Sequence, residues 1–318
     1  MHFMEIEFMP NNRYLVLLAV TLSTFFWGSN FNAGASVVAD ASPFAVAIER
    51  FFIATIIIMI VMLLKDRSNL MALQKNWIAF IALGLLGITG FNLALFIGLK
   101  TTSAINGALI MATSPITTAL LAAMIDKHKI TLIQTVGMLI SLFGVVIVVS
   151  NGSIMNLISL NFSSGDLIIM LGNLAWATYT VGSRKYISNS TPLQTTTYTM
   201  LFGTIGILLF TVYNNNLLIS LNNITIKNHL ILVYMAVCGT VLAYLFWNFG
   251  IKEIGAANTA VFFNLVPVFT MILALFTGSV PNLLQVCGAL IVICGVILAT
   301  GSYKTMLTKR DTKSFTNH

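Results

Sequence analysis

The sequence predicts an all-α membrane protein with ten transmembrane helices arranged as two inverted five-helix repeats. Three observations predict this fold. First, 58% of the 318 residues are apolar and only 8% are charged, whereas soluble domains carry roughly 25% charged residues. Second, ten apolar segments have the length of a membrane span. Third, the two halves of the chain share a spaced set of residues. The composition by itself excludes an ordinary soluble fold.

The ten apolar segments are about 20 residues long, which is enough to cross a hydrocarbon core of about 30 Å. They cover residues 14–34, 43–64, 77–99, 102–124, 132–150, 165–183, 192–213, 229–251, 256–277 and 283–302. The gaps contain charges and helix breakers, as in 65–69 and the Asn-rich stretch 214–223. No gap is long enough for a separate domain. We therefore predict a single membrane-embedded unit in which residues 1–152 and 153–318 are the two repeats.

The basic residues predict the orientation of these helices. Thirteen of the 16 Lys and Arg residues fall in one alternate set of gaps, and only Lys100 and Lys227 fall in the other. We expect the protein to lie in the cytoplasmic (inner) membrane. The positive-inside rule then predicts that both termini are in the cytoplasm. Because the formal charge of +7 is spread over short gaps rather than clustered in one patch, no nucleic-acid partner is expected. The expected partners are the lipid bilayer and a small-molecule substrate.

An internal repeat links the two halves of the chain. The stretch 98–100 and the residues Ala104, Asn106, Ala108 and Pro115 recur 152 positions later as 250–252, Ala256, Asn258, Ala260 and Pro267. At an offset of 151, Gln134, Gly137 and Gly144 recur as Gln285, Gly288 and Gly295, and at 149, Trp27 and Pro43 recur as Trp176 and Pro192. Since each half has five helices, an odd number, the second half enters the membrane from the opposite side. Many secondary transporters have this architecture, with the substrate site near the midplane.

Several short pieces of sequence point to a known family. They are 26–31, Arg50-Phe51, 113–116, the glycines of 137–144, Trp176-Ala177 and 266–268. Together they resemble the EamA-type drug/metabolite transporter superfamily over essentially the whole chain. The resemblance implies two inverted five-helix units, a central cavity, and export of amino acids, related metabolites or drugs by alternating access. Such repeats often carry an acidic residue after their fourth helix. Asp126 matches in the first half, but 277–279 of the second half lacks one.

The sequence has no catalytic constellation, so we do not expect an enzyme. It contains no zinc-protease motif, no nucleotide-binding loop and no nucleophile elbow. The three cysteines lie in apolar runs without a pairing motif, so no metal or other cofactor is expected. Without a nucleotide-binding loop, an ion gradient or the gradient of the substrate would have to drive transport.

Glu49 and Arg50 are the charges that lie clearly inside an apolar segment. A charge at mid-helix costs about 2.5–3.5 kcal/mol on insertion scales, so such residues usually face a cavity or a partner. We expect Arg50 to face the cavity or to lock the bundle, and Glu49 to titrate as a coupling group. The alternative is that both side chains reach the outer interface as structural anchors.

Polar differences between the repeats predict where a substrate binds. Asn30 corresponds to Tyr179, Asn92 to Tyr244, Phe96 to Asn248, and Ala112 to Asn264. With Trp27 and Trp176, these residues predict a pocket of aromatic rings and uncharged hydrogen-bonding groups, which suits neutral, zwitterionic or aromatic solutes. The alternative is that the rings form interfacial belts and the amides bridge helices.

Asn106 and Asn258 are identical in the two repeats, and each precedes a proline by nine residues. We include both in the predicted substrate site and interpret Pro115 and Pro267 as hinges, because proline frees a carbonyl and bends a helix. A static kink without movement is the alternative. Gly137, Ser141 and Gly144 share one helix face and predict close packing within the chain or a dimer seam, so monomer and homodimer both stay open.

The sequence thus predicts a secondary transporter that exports amino acids or related metabolites by alternating access. The competing functions are uptake or exchange of a nucleoside-like or adenosyl metabolite, a lipid-carrier flippase, and a membrane scaffold without transport.

Overall fold

The computed structural model describes residues 13–38, 42–66, 70–127, 129–213 and 225–302. Within these ranges the regular structure is helical and no β-strand occurs, which confirms the all-α prediction. The two termini, the Asn-rich stretch 214–223 and the side chain of Asp126 lie outside the described residues.

Ten long helical segments follow one another in the described ranges, and we number them in chain order. They are α1 (Arg13–Val38), α2 (Pro43–Lys65), α3 (Leu70–Gly98), α4 (Ala104–Ala112 and Ser114–Asp126), α5 (Leu132–Val149), α6 (Ser164–Tyr186), α7 (Pro192–Tyr213), α8 (Ile226–Ile254), α9 (Ala256–Thr277) and α10 (Leu283–Thr300). A short helix, Ile154–Ile158, lies between α5 and α6.

Eight of these helices, α1–α5 and α7–α9, are long and apolar enough to cross a membrane, and α10 contributes a shorter apolar helix. The remaining helix, α6, is too polar to be counted among these membrane-spanning helices. Ten membrane spans therefore stay a prediction. Helix α6 packs against α3, α4, α8 and α9, and much of its surface is buried. A helix that faces other helices more than lipid needs fewer apolar side chains.

Helices α5 and α10 form an antiparallel pair whose contact surface consists of small residues. A methyl group added to Gly144 would lie 2.6 Å from the backbone nitrogen of Val292, and Gly295 lies equally tightly against Ser141. Gly137 packs against Ala299 at the other end of the same surface. The predicted packing of this glycine face within the chain is therefore confirmed, since small residues let two backbones approach closely.

The packing of the two halves is reciprocal. Helix α1 packs against α8 and α9, and its repeat equivalent α6 packs against α3 and α4. Two residues even contact their own equivalents: Thr55 is hydrogen-bonded to Thr204 at 2.7 Å, and the ring centroids of Trp27 and Trp176 are 5.4 Å apart. Residues that touch their equivalents lie on a symmetry axis. Together with the antiparallel α5–α10 pair, this is the geometry that an inverted repeat produces.

A π-helical turn interrupts both α3 and α8 at equivalent positions, Leu85–Gly90 and Val237–Leu242. One glycine of each turn packs against a side chain of the other half, Gly87 against Tyr179 and Gly239 against Asn30. Short π-helical turns inside α-helices frequently mark functional positions. The sequence pattern did not reveal them.

The helix containing each predicted hinge proline is irregular just before that proline. In α4 the helix stops at Ala112 and restarts at Ser114, so Pro115 occupies its first turn. In α9 a 3₁₀ turn, Phe262–Asn264, precedes the segment that contains Pro267. Proline cannot donate a backbone hydrogen bond, which is the reason for both interruptions. Movement at these points stays a prediction.

The two ends of the bundle differ in charge. We call the end that carries the termini of α1, α2, α6 and α8 with Arg13, Lys65, Arg184 and Lys252 the basic end. Here Arg13 donates to the Thr300 carbonyl at 2.9 Å and Arg184 to the Ile251 carbonyl at 2.8 Å. Among the described residues, the opposite end carries Lys100 and Lys227. The basic residues that the sequence assigned to one side of a membrane thus lie together.

Candidate functional site

Five aromatic rings from four helices meet at the centre of the bundle. Trp27 of α1 lies with its ring centroid 5.0 Å from Trp247 and 5.8 Å from Tyr244, both of α8. Its centroid is also 5.4 Å from Trp176 of α6 and 5.7 Å from Phe263 of α9. Edge-to-face and tilted pairs at these distances are favourable because ring edges and faces carry opposite partial charge. We call Trp27, Trp176, Tyr244, Trp247 and Phe263 the aromatic cluster.

Tyr179 and Asn248 lie beside the aromatic cluster and are hydrogen-bonded to each other. The Asn248 amide donates to the Tyr179 hydroxyl at 2.7 Å and to the Thr196 hydroxyl at 3.0 Å. Asn248 is 3% exposed, and its Oδ1 has no hydrogen-bond partner among the described residues. A buried acceptor without a partner is costly, so this oxygen is available to water or to a solute.

The side chain of Arg50 in α2 contacts other residues of the bundle rather than extending to the membrane interface. Its Nη2 donates to Asn92 Oδ1 of α3 at 3.0 Å, and the guanidinium carbon lies 4.5 Å from the centroid of the Phe51 ring. Asn92 in turn donates to the carbonyl of Ile88 in the π-helical turn and interacts with Tyr244 of the aromatic cluster. Arg50 therefore links α2 to α3 beside the aromatic cluster. This is the arrangement expected of a residue that locks the bundle.

Glu49 pairs with a residue that the sequence did not suggest. Its Oε1 lies 2.5 Å from Nδ1 of His229 in the first turn of α8, at the end opposite the basic end. The Glu49 side chain is 14% exposed and that of His229 is 45% exposed. The second carboxylate oxygen, Oε2, is buried without a hydrogen-bond partner among the described residues. This pair is thus accessible to solvent from one end of the bundle.

A cavity of about 560 Å³ leads from the opposite end to the aromatic cluster. It separates the first segment of α4 from the second segment of α9, and none of the described residues that line it is charged. Leu99, Asn151 and Val280 lie at its mouth, and Phe91, Phe263 and Asn264 lie at its inner part. We call this space the open cavity. Its size is that of pockets for small organic ligands.

Asn264 is the buried amide of the open cavity. Its Nδ2 donates to the Ser141 hydroxyl at 2.8 Å, and its Oδ1 has no hydrogen-bond partner among the described residues. The side chain is 1% exposed. An amide that is held by one bond and has a free acceptor is suited to bind an N–H or O–H group of a solute.

The structure brings only some of the predicted site residues together. The members that meet at or beside the aromatic cluster are Trp27, Trp176, Tyr179, Tyr244, Asn248 and Asn92. Asn264 and Pro267 line the open cavity. Phe96 packs against the main hydrophobic core, and Asn30 packs against Gly239 in the π-helical turn of α8. Their roles in substrate binding stay predictions.

Asn106 and Asn258 are equivalent in the two repeats and lie at opposite ends of the bundle. The Asn106 amide donates to Asp166 Oδ1 at 3.1 Å and to the Asn161 carbonyl at 3.0 Å. Asn258 lies at the basic end, where its Oδ1 accepts from Gln134 Nε2 at 2.9 Å. Neither side chain therefore joins the aromatic cluster.

Sequence reasoning missed Trp247, Phe263, His229 and Asp166. Trp247 and Phe263 correspond to Leu95 and Met111 in the other repeat, so the comparison that selected Asn92 and Tyr244 could have found them. The pairing partners His229 and Asp166 come from distant helices and left no sequence signal. In the described residues, no group of three His, Cys, Asp or Glu side chains could hold a metal ion.

A bundle of apolar helices in two reciprocal halves, with a deep cavity between them, is typical of multi-pass membrane transporters. The sequence model of the EamA-like transporter family matches residues 14–150 and again residues 163–301. The chain therefore belongs to the EamA-like transporter family.

Relatives and a solved structure agree with this assignment. An uncharacterized transporter of Bacillus subtilis (strain 168), YyaM, is 41% identical over 302 residues, which covers 95% of this chain and 97% of that protein. An uncharacterized transporter of Archaeoglobus fulgidus is 27% identical and covers 91% of this chain and 98% of its own. A crystal structure with 18% sequence identity matches 91% of this chain and 98% of its own with a TM-score of 0.76. This last likeness shows the fold alone.

Proposed function

We propose that this transporter exports amino acids or related neutral, zwitterionic or aromatic metabolites across the cytoplasmic membrane by alternating access. The observation that carries the proposal is the open cavity. It is lined by apolar side chains with Asn264, Thr270 and Gln285 among them, and it ends at the aromatic cluster.

The lining of the open cavity favours solutes without net charge. A polyanion would require several basic side chains, and none occurs among the described residues of the lining. Apolar walls and rings instead suit an aliphatic or aromatic side chain, while amides bind the polar groups of the same solute. A nucleoside-like solute also has rings and amide-type edges, and a lipid carrier has apolar chains, so both belong in a solute panel as competitors.

The basic end is proposed to face the cytoplasm, with both termini on that side. This follows from the positive-inside rule applied to the residues that lie together there. In that orientation the open cavity faces away from the cytoplasm. The structure would then correspond to the state from which an exporter releases its cargo.

A solute panel on proteoliposomes tests the proposal. Efflux of amino acids is expected, and removal of the Asn264 amide by Asn264→Ala, which gives the residue found at the equivalent Ala112, should raise KM. The expected rise is about 2- to 10-fold, the effect of one lost hydrogen bond. Thr277→Val is the control, since Thr277 is exposed at the end of the same helix. Transport of nucleosides or lipid carriers instead of amino acids, or no transport of any solute, would refute the proposed substrate class.

A further inference from the structure

The open cavity has a closed counterpart at the basic end. The cavity separates the first segment of α4, Ala104–Ala112, from the second segment of α9, Leu265–Ala274. The repeat equivalents of these surfaces are Ala256–Val261 of α9 and Ser114–Asp126 of α4, and they pack against each other. Two equivalent pairs of surfaces are thus apart at one end and in contact at the other.

One hydrogen bond distinguishes the two ends directly. At the basic end, Gln134 Nε2 donates to Asn258 Oδ1 at 2.9 Å. The equivalent residues at the opposite end are Gln285 and Asn106, and no hydrogen bond between them is found among the described residues. Gln285 Nε2 instead donates to Asn151 Oδ1 at 2.7 Å, while Asn106 donates to Asp166.

The α4 segment that packs against Ala256–Val261 contains two buried hydroxyls without a hydrogen-bond partner among the described residues. Ser114 and Thr118 lie one turn apart on α4 and are both 0% exposed. Neither hydroxyl has a hydrogen-bond partner among the described residues. Their equivalents, Val266 and Thr270, line the open cavity. A buried hydroxyl without a partner costs free energy, and it acquires one as soon as water or a solute enters.

We propose that Ser114 and Thr118 line a second, closed solute-binding cavity at the basic end, which opens when the Gln134–Asn258 bond breaks and Asn106 and Gln285 come together. We call Gln134 and Asn258 the basic-end latch. The proposal rests on the proposed transport function, and it names the surface that meets the cargo on the cytoplasmic side.

The chemistry of this closed cavity differs from that of the open one. Where the open cavity has Val266, the closed one has the Ser114 hydroxyl. Two hydroxyls can donate to a carboxylate and accept from an ammonium group. The ligand class is therefore a small polar or zwitterionic solute, and it should bind more tightly from the basic end than from the opposite end.

Thiol reactivity tests the proposal without any solute. In a background with Cys238, Cys287 and Cys294 replaced by Ser, single variants Thr118→Cys and Thr270→Cys report on the closed and the open cavity. With purified protein in nanodiscs and a water-soluble maleimide, Thr270→Cys should react fast and Thr118→Cys slowly. Thr211→Cys, at a buried position of α7, reports general loosening and should stay unreactive.

The matched pair Gln134→Glu and Gln285→Glu isolates the latch. Each glutamine caps its own helix through Oε1, which accepts from the backbone nitrogen of Thr131 or Asn282. Glutamate keeps that cap, but it cannot donate to Asn258 or Asn151. Gln134→Glu should raise the Thr118→Cys rate about 2- to 10-fold, as expected for one hydrogen bond in a two-state equilibrium. Gln285→Glu should not raise it.

An unchanged Thr118→Cys rate in the Gln134→Glu variant would overturn the proposal, and so would an equal rise with Gln285→Glu or a rise of the Thr211→Cys rate. If Gln134→Glu does not give folded protein, Asn258→Leu removes the same bond from the other helix and carries the test. Since labelling needs no cargo, the closed cavity can be refuted while transport is observed, and the substrate class can fail while the latch is supported.

Discussion

The two ends of the bundle carry equivalent parts of the repeat in different arrangements. At the basic end, Ala256–Val261 packs against Ser114–Asp126 and Gln134 bonds to Asn258. At the opposite end, the equivalent segments are separated by a cavity of about 560 Å³. Because the sequences of the two ends are related, we expect each end to be able to adopt the arrangement seen at the other. The difference therefore suggests two states of similar free energy that one chain exchanges.

The frame that both arrangements share is the α5–α10 pair, so changes there should have the largest effect. Gly144→Leu places a side chain where a methyl group would already lie 2.6 Å from the backbone of Val292. We expect loss of stability of at least about 1–3 kcal/mol, the cost of overpacking, or failure to obtain folded protein. Thermal unfolding followed by tryptophan fluorescence measures it.

The control for this variant is Phe143→Leu, because Phe143 is exposed on the same helix. It should unfold at the unchanged temperature. Full stability of Gly144→Leu would show that α5 and α10 can separate, and the comparison of two ends on a fixed frame would fail.

Arg50 and Asn92 link α2 to α3 near the centre, between the two ends. Asn92→Leu removes the acceptor of the Arg50 guanidinium, and we expect a loss of about 1.5–3 kcal/mol, the range for a hydrogen bond to a charged group. The double variant Arg50→Leu with Asn92→Leu should be less destabilised than Asn92→Leu alone, since no buried charge is left without a partner. Thermal unfolding of Asn92→Leu, Arg50→Leu and the double variant is the measurement. Additive losses would show that Arg50 does not depend on Asn92.

The Glu49–His229 pair lies only at the opposite end, so its removal should have the smallest effect. If Glu49 takes up the coupling proton, Glu49→Gln should flatten the pH dependence of transport by proteoliposomes while the protein stays folded. His229→Gln is the companion variant, which removes the pairing ring and leaves the carboxylate. An unchanged pH profile in Glu49→Gln would leave the pair as a structural link between α2 and α8.

Much of the fold could be predicted from the sequence, because each element left a local signal. Apolar length located the helices, and residues that membrane helices use sparingly, such as Trp27 and Trp176, revealed the repeat. Asn92 and Tyr244 were found because they differ between the repeats. The π-helical turns in α3 and α8 were not predicted, since the contacts of Gly87 and Gly239 with side chains of the other half leave no local sequence pattern.

The partner of each polar side chain could not be predicted either. A repeat encodes Gln134 with Asn258 and Gln285 with Asn106 as equivalent pairs, and nothing in their sequence determines which pair is joined in a given state. The sequence therefore placed both asparagines in one substrate site, whereas the structure has them at opposite ends. The three-dimensional structure is needed to show that Gln134 and Asn258 are bonded while Gln285 and Asn106 have other partners.

Two distances measured together test the exchange of states most directly. Spin labels attached in the cysteine-free background through Lys129→Cys with Lys252→Cys report on the basic end. A second protein, with Thr101→Cys and Ser279→Cys, reports on the opposite end. When the basic-end latch is removed by Gln134→Glu, the basic-end distance distribution should gain a longer component and the opposite-end distribution a shorter one. Lengthening at the basic end without shortening at the opposite end would contradict alternating access by exchange of the two arrangements.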